Sequence, residues 1–331
     1  MSAKEFVNIL QLADEQTVFG LVFDVLKDTN VDGLNNLTPL YEAIGLLEQI
    51  KQQNYYINKE LTSFVQDCNR YRQKYLIVKG QTICCLYPQP ELRQPGDIDF
   101  LVSKITNISQ IFPNAEIPSK LKEKEYGYEH NGITYELHTR LIDFGCKKHR
   151  ILWEDQISKE WLENYCVNIG GVEVCTLSPT LNVEYLFVHL FFHFIREGIS
   201  MRQLCDWAIV LNHYHNEIDR KQIASLLKSL DMIKAYKAFG VILVDELGLS
   251  KDVFPVELDD NDRKWKYDIL NKIFKGGNFG ILNHKDKATL GFKFETFKMT
   301  ASNCIKFYRL APSELMMMIP KMVYINSKLL L

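Results

Sequence analysis

Two segments of the chain alternate apolar and polar residues with a period of two. The first covers residues 97–102, and the second covers residues 134–141. Neighbouring side chains of a β-strand point to opposite faces, so this period predicts strands with one polar and one apolar face. Asp97 and Asp99 then share the polar face of the first strand, while Glu136 and His138 share the polar face of the second.

A further strand is predicted from an apolar run that ends at Lys79, just before Gly80 and Gln81. Because glycine lacks a Cβ, Gly80 lets the backbone approach a bound group closely. Three prolines between residues 88 and 95 predict an extended connection, and Arg93 lies within it.

A predicted hairpin turn shows where the strand of the second alternating segment begins. Asn131-Gly132 lies between two strand-like runs, and this dipeptide is typical of a two-residue hairpin turn. Glu136 then falls on the outgoing strand. The charged stretch at residues 120–128 favours a helix before this hairpin.

Helical spacing of apolar residues dominates both ends of the chain. With the strands between them, these patterns predict an α/β fold of the α+β kind, with a mixed sheet flanked by helices. The predicted parts are a helical N-terminal cap at residues 1–71, an α/β core at 72–178 and a helical C-terminal domain at 179–331.

The composition is that of an ordinary globular protein, with 47% hydrophobic and 24% charged residues. A net charge of −2 and the lack of a basic stripe disfavour a long nucleic acid as partner and favour small molecules or a protein. The N-terminal residues lack the long apolar segment of a signal peptide, and no run in the sequence approaches the about 20 apolar residues of a membrane span, which predicts a cytoplasmic protein away from membranes. The eight cysteines form no CxxC pair and are expected to be free thiols.

The acidic residues are the candidate chemistry. Two unit charges about 4 Å apart repel by about 4 kcal/mol at an effective dielectric of about 20. A hard divalent cation such as Mg²⁺ would relieve the repulsion between Asp97 and Asp99. If the second alternating strand lies near the first, Glu136 completes a three-carboxylate cluster that suits two-metal phosphoryl transfer.

These motifs resemble the DNA polymerase β-type nucleotidyltransferase superfamily. The resemblance is specific over residues 72–145 and extends more weakly to about residue 280. The chain departs from the wider superfamily at Gln81, where Ser or Gly usually follows the turn glycine, and at Glu136, where the third acid is usually Asp. One branch combines a Lys-Gly turn, a Tyr-Pro, an Arg and an Asp-Ile-Asp, and the matching residues are Lys79-Gly80, Tyr87-Pro88, Arg93 and Asp97-Ile98-Asp99.

The resemblance implies a metal-dependent enzyme that moves an NMP group from an NTP to a hydroxyl of an unidentified small-molecule or protein acceptor, with release of pyrophosphate. It implies two Mg²⁺ or Mn²⁺ ions held by Asp97, Asp99 and Glu136, the three residues implied to be catalytic. The implied substrate-binding residues are Lys79, Gly80, Gln81, Arg93 and His138.

Four points stay open at the level of sequence. The fold could instead serve a non-catalytic nucleotide-binding or regulatory module. His189 and His193 have the i, i+4 spacing of metal ligands and could form a hydrolase site with Asp206, although the phenylalanines around them favour a polar network inside a buried helix. His138 either contacts substrate or orients Glu136, and the glycine-rich loop at residues 276–280 either covers a ligand or connects helices.

Overall fold

The computed structural model of the protein divides into two compact units. The first comprises residues 1–141 and 160–178, and the second comprises residues 142–159 and 179–331. This division into two units does not test the three parts predicted from the sequence, which remain a prediction. The structure describes residues 1–31, 38–104, 107–113, 124–277 and 290–328.

Helices α1 to α3 precede the strands of the first unit, and short helices follow β1 and β2. The helices are α1 (Ala3–Glu15), α2 (Phe19–Leu26), α3 (Thr38–Arg70), α4 (Gln81–Cys84) and α5 (Ile108–Ile111). The strands are β1 (Leu76–Val78), β2 (Ile98–Leu101), β3 (Glu125–His130), β4 (Ile133–His138), β5 (Cys166–Ile169) and β6 (Val172–Cys175).

The second unit is helical where the structure describes it. Helix α6 begins in this unit and ends in the first, and the later helices all lie in the second. The bounds are α6 (Lys147–Glu163), α7 (Pro179–Arg196), α8 (Met201–Tyr214), α9 (Arg220–Ser229), α10 (Ile233–Asp245), α11 (Lys266–Gly276), α12 (Leu290–Lys306) and α13 (Pro312–Lys328).

The four-stranded sheet has the order β1-β2-β4-β3. β1 and β3 pair antiparallel with their neighbours, whereas β2 and β4 run parallel. A mixed sheet with helices before and after it confirms the fold class predicted from the sequence. The parallel pairing matters most for function, because it sets the two alternating strands side by side.

The apolar face of the sheet packs on α3. The ring of Phe64 on α3 lies 4.7 Å from that of Phe100 on β2 and 5.7 Å from that of Tyr135 on β4, centroid to centroid. Leu61 and Cys68 extend the buried stripe of α3 at helical spacing. Fully burying an aromatic side chain of this kind stabilises a fold by roughly 1.5–3 kcal/mol. This packing fixes which face of β2 and β4 is apolar, and so directs their acidic residues to the other face.

The predicted hairpin is present between β3 and β4. Asn131 and Gly132 have φ angles of 51° and 74°, and two consecutive positive φ angles define the turn that Asn-Gly favours. The helix predicted at residues 120–128 is wrong where the structure describes that stretch, because residues 125–130 form β3. Alternation explains this outcome: Tyr126 and Tyr128 pack against the core beneath the sheet, while Glu125 and Glu129, which flank them, are exposed.

An aromatic cluster forms the centre of the second unit. Phe187 on α7 lies 5.3 Å from Trp207 on α8 and 4.8 Å from Tyr236 on α10, between ring centroids. All three side chains are fully buried. Helix α7 thus has the buried character that its phenylalanines predicted. Within the part of the chain that the structure describes, no helix combines the length and apolar character needed to cross a bilayer.

Candidate active site

The turn after β1 has an unusual backbone. Lys79 and Gly80 have φ angles of 59° and 51°, and the left-handed region costs free energy for a lysine. A Cβ on Gly80 would lie 3.3 Å from the carbonyl oxygen of Asp97. The turn therefore requires glycine at this position, and it holds the end of β1 against the start of β2.

The parallel register brings the predicted acids together. Asp99 on β2 lies directly beside Glu136 on β4. Ligand atoms of Asp99, Glu136 and His138 all lie within 4.8 Å of one another, close enough to hold a metal ion. Asp97 lies one residue before β2, and its charge contributes to raising the pKa of Glu136. The group of ligand atoms thus includes Asp99 and Glu136 but not Asp97.

Two side chains, one of them a lysine, interact with the same oxygen of Asp99. Lys79 Nζ lies 2.9 Å from Asp99 Oδ1, and His138 Nε2 lies 2.7 Å from the same atom. His138 is 3.6 Å from the nearest oxygen of Glu136. The sequence suggested that His138 contacts substrate or orients Glu136, but its short hydrogen bond is to Asp99. His138 is almost fully buried, so its hydrogen bond to Asp99 is shielded from solvent.

The two neighbouring carboxyls differ in their proton affinity. Burial by itself would raise the pKa of Asp99, but the charge of Lys79 and the hydrogen bond from His138 outweigh it and hold that pKa well below its usual range. For Glu136, burial and the charges of Asp99 and Asp97 raise the pKa to about 8. Near pH 7 the site therefore holds an ionised Asp99 beside a largely protonated Glu136.

This contrast predicts how the stability of the cation-free protein depends on pH. The folded chain keeps the Glu136 proton up to a pKa of about 8, whereas an unfolded chain releases it near the ordinary value of 4.5. The Glu136 contribution to stability is therefore complete below the ordinary pKa and declines as the pH rises through 8. Melting curves in EDTA between pH 5 and 9 should show this decline, and Glu136→Gln should flatten it. Parallel pH profiles for the parent and the variant would contradict the prediction.

A further acid, Glu125, lies beside the group formed by Asp99, Glu136 and His138. The sequence did not predict it as a site residue. It pairs with His138 across β3 and β4, and its Oε2 lies 3.7 Å from His138 Nδ1. Burial would raise the pKa of Glu125, but Lys124 and then His138 lower it overall. Counting back from the Asn-Gly turn could have found Glu125, because hairpin register sets residue 125 opposite residue 138.

Two of the predicted substrate contacts are buried in the first unit. Gln81 is buried, and its amide donates to Asn58 on α3 at 2.6 Å. This bond commits its side chain to α3 rather than to a phosphate. Arg93 is also buried, with only 4% of the residue exposed. Asn54 on α3 explains the burial, since its amide donates to the Arg93 carbonyl at 2.8 Å and holds the loop against the helix.

A second group of potential metal ligands occurs in the second unit and comprises Cys146, His149 and Glu314. Glu314 is almost fully buried and accepts hydrogen bonds from the backbone N–H groups of Gly145 and Cys146, at 2.8 and 3.1 Å. His149 Nδ1 lies 2.7 Å from it. Because the two N–H groups lie just before α6, the carboxylate satisfies donors at the start of that helix. This arrangement explains a buried glutamate without a metal.

The alternative site on α7 does not form a group of three ligands. His189 and His193 have ring centroids 4.4 Å apart. His193 Nδ1 lies 3.1 Å from Glu197 within the same helix. Among the described residues, the groups that could hold a metal include neither histidine and do not include Asp206. Residues 278–280 of the glycine-rich loop lie outside the described residues.

Comparisons with known proteins identify the family of the chain. No curated protein matches the chain significantly. Among solved structures, the crystal structure of an antigenic nucleotidyltransferase-like protein from Paracoccidioides brasiliensis is 14% identical, covers 62% of this chain and 96% of that chain, and has a TM-score of 0.35. The family model described as "Uncharacterised nucleotidyltransferase" matches residues 2–246. Because that match spans more than half of the chain, the protein belongs to this nucleotidyltransferase family.

Proposed function

We propose that the protein is a metal-dependent enzyme that transfers an NMP group from an NTP to a hydroxyl group of a small-molecule or protein acceptor and releases pyrophosphate. The observation that carries the proposal is the parallel register of β2 and β4, which sets Asp99 beside Glu136. Asp97 lies one residue before β2. Family membership makes nucleotide the expected substrate.

The residues present fit a divalent cation. Carboxylate oxygens and an imidazole nitrogen lie within 4.8 Å of one another in the group formed by Asp99, Glu136 and His138. Burial, and then the charges of Asp99 and Asp97, raise the pKa of Glu136, so a cation at this position would favour its ionised form. Asp97, Asp99 and Glu136 would hold the cations, two Mg²⁺ or Mn²⁺ ions in this proposal. When bound, they would neutralise phosphate charge and lower the pKa of the acceptor hydroxyl.

The protein's own residues have separate tasks in this scheme. His138 and Lys79 keep Asp99 ionised and oriented, because both interact with its Oδ1. An ammonium group has three N–H donors, so Lys79 can contact a phosphate while it keeps its pairing with Asp99. Glu136, once ionised, can accept the proton of the acceptor hydroxyl. Gly80 leaves room for the triphosphate next to the turn.

Three finer points belong to the same proposal. The preferred nucleotide is ATP in our working hypothesis. The net charge of −2 favours a small molecule or a protein over a long nucleic acid as acceptor. The cytoplasm, where NTP and Mg²⁺ are abundant, is the proposed compartment.

Removal of divalent cations tests the proposal. The protein is incubated with α-labelled NTP and a panel of hydroxyl-bearing acceptors, with Mg²⁺ or Mn²⁺ and then with excess EDTA. We expect labelled acceptor, or slow release of labelled NMP when water is the acceptor, and loss of both in EDTA. Pyrophosphate release gives an independent measure. A protein that binds Mg-NTP but forms no product across the panel would instead be a non-catalytic nucleotide-binding or regulatory module.

A further inference from the structure

The hairpin formed by β5 and β6 contains two cysteines directly opposite each other. Cys166 pairs with Cys175 in the antiparallel register. Their sulfur atoms lie 2.9 Å apart, and both thiols are free and partly exposed. Neither residue belongs to the candidate active site. The chain has eight cysteines, so cysteine content alone does not single out this pair, whereas its geometry does.

The backbone register favours a bond between them. Ladder hydrogen bonds in an antiparallel pair alternate between successive residue pairs, and Thr176 N–H bonds to the Tyr165 carbonyl at 2.9 Å. The neighbouring pair, Cys166 and Cys175, therefore occupies a non-hydrogen-bonded position. Cα atoms at such a position lie about 4.5 Å apart, within the range of about 4.4–6.8 Å that disulfides span.

The turn of the hairpin keeps this register fixed. Gly170 and Gly171 have φ angles of 59° and 82°, and Ile169 pairs with Val172 across them. Two positive φ angles in succession define a tight two-residue turn. A slip of one residue would turn the side chains of one strand over and leave the two sulfur atoms on opposite faces of the hairpin. The turn therefore keeps both sulfur atoms on the same face.

We propose that Cys166 and Cys175 form a reversible disulfide, which makes the hairpin a site of oxidative modification. A disulfide is about 2.05 Å long, so the sulfur atoms need to approach by less than about 1 Å from their present separation. The co-reactant is a low-molecular-weight disulfide such as oxidised glutathione. One cysteine thiolate attacks it and releases one glutathione thiol, and the second cysteine displaces the other. Two protein thiols are oxidised, and one glutathione disulfide is reduced to two thiols.

The environment of the pair sets the speed of this reaction. Burial raises the pKa of Cys166 to about 12, together with its hydrogen bond to Cys175 and the charge of that residue. Since the thiolate is the attacking species, attack by Cys166 should be slow at neutral pH and faster as the pH rises.

The disulfide would also affect the strand next to the hairpin. Thr176, the residue after Cys175, forms a parallel bridge with Ile77 of β1. The Tyr75 hydroxyl interacts with the backbone of Cys175. Oxidation would therefore fix the hairpin beside the strand that leads to Lys79.

The test is peptide mapping of the full chain after equilibration in glutathione buffers at pH 8.5. The chain is denatured, its free thiols are alkylated in the denaturant, and a protease cleaves after Glu173, which lies between the two cysteines. In the reduced protein this cleavage separates Cys166 from Cys175. In the oxidised protein we expect the two peptides to remain joined, with two of the eight thiols no longer alkylated. Reduction should release them.

Two variants complete the experiment. In Cys166→Ser, no joined peptide should form, and Cys175 should carry glutathione instead. Cys205→Ser, in the second unit, should behave as the parent does. Closing a loop of about ten residues should raise the melting temperature of the parent by about 5 °C on oxidation and leave that of Cys166→Ser unchanged. Eight alkylated thiols in the most oxidising buffer, or cross-links that join other cysteines or two chains, would overturn the proposal.

Discussion

Replacing Asp97 and Asp99 together with Asn is expected to abolish divalent cation binding. The change keeps the shape of both side chains and removes two of the three carboxylates at the site. Loss of hydrogen bonds around metal ligands already costs about 10–100-fold in affinity, so the loss of two ligands should exceed about 100-fold. Calorimetric titration with Mn²⁺ and Mg²⁺ measures this directly.

The experiment also needs a control for loss of folding in the double variant. Asp99 is buried and paired with Lys79 at 2.9 Å, and removing one partner of a buried pair costs about 3–5 kcal/mol. Asp97→Asn alone avoids this loss, because Asp97 is only partly buried, and it should still weaken cation binding by about tenfold or more. Glu129→Gln is the matched control. Glu129 is an exposed acid on the same face of β3 as Glu125, and it accepts a hydrogen bond from the Thr134 hydroxyl. Unchanged titration curves for Asp97→Asn and for a folded double variant would show that the cation site is misassigned.

Alternation in the sequence was sufficient to predict the elements that carry the site. A period of two on each strand separates Phe100 from Asp99 and Tyr135 from Glu136, and α3 covers the apolar residues of both strands. The Asn-Gly turn fixed the start of β4. Pairing between β2 and β4 was left conditional, because no pattern within either strand specifies its neighbour in a sheet.

The contacts that determine the chemistry of each side chain could not be predicted in the same way. Gln81 bonds to Asn58, and the Arg93 loop is held by Asn54, across long stretches of sequence. Such bonds depend on where α3 crosses the strands, which apolar spacing alone does not define. The position of His138 next to Asp99 likewise follows from the register of two strands that are far apart in the chain.

Glu136→Gln is expected to abolish NMP transfer while leaving NTP affinity within a few-fold of the parent. Burial and the charges of Asp99 and Asp97 raise the pKa of Glu136 to about 8, so near pH 7 the cation-free protein mostly carries a neutral carboxyl at this position. Gln has the same shape and the same charge as that protonated form. The substitution should therefore preserve the fold, and Asp97, Asp99 and Lys79 remain available to bind Mg-NTP.

The variant differs from the parent only when the site requires an ionised Glu136, as a cation ligand or as the acceptor of the hydroxyl proton. General base catalysis alone contributes about 10²–10⁴-fold, so pyrophosphate release should fall by at least about 100-fold. NTP affinity is measured by titration and the rate by pyrophosphate release, with Glu129→Gln again as the control that should match the parent. Equal rates in the parent and Glu136→Gln would show that the third carboxylate is misassigned. Glu125, whose Oε2 lies 3.7 Å from His138, would then be the next acid to replace.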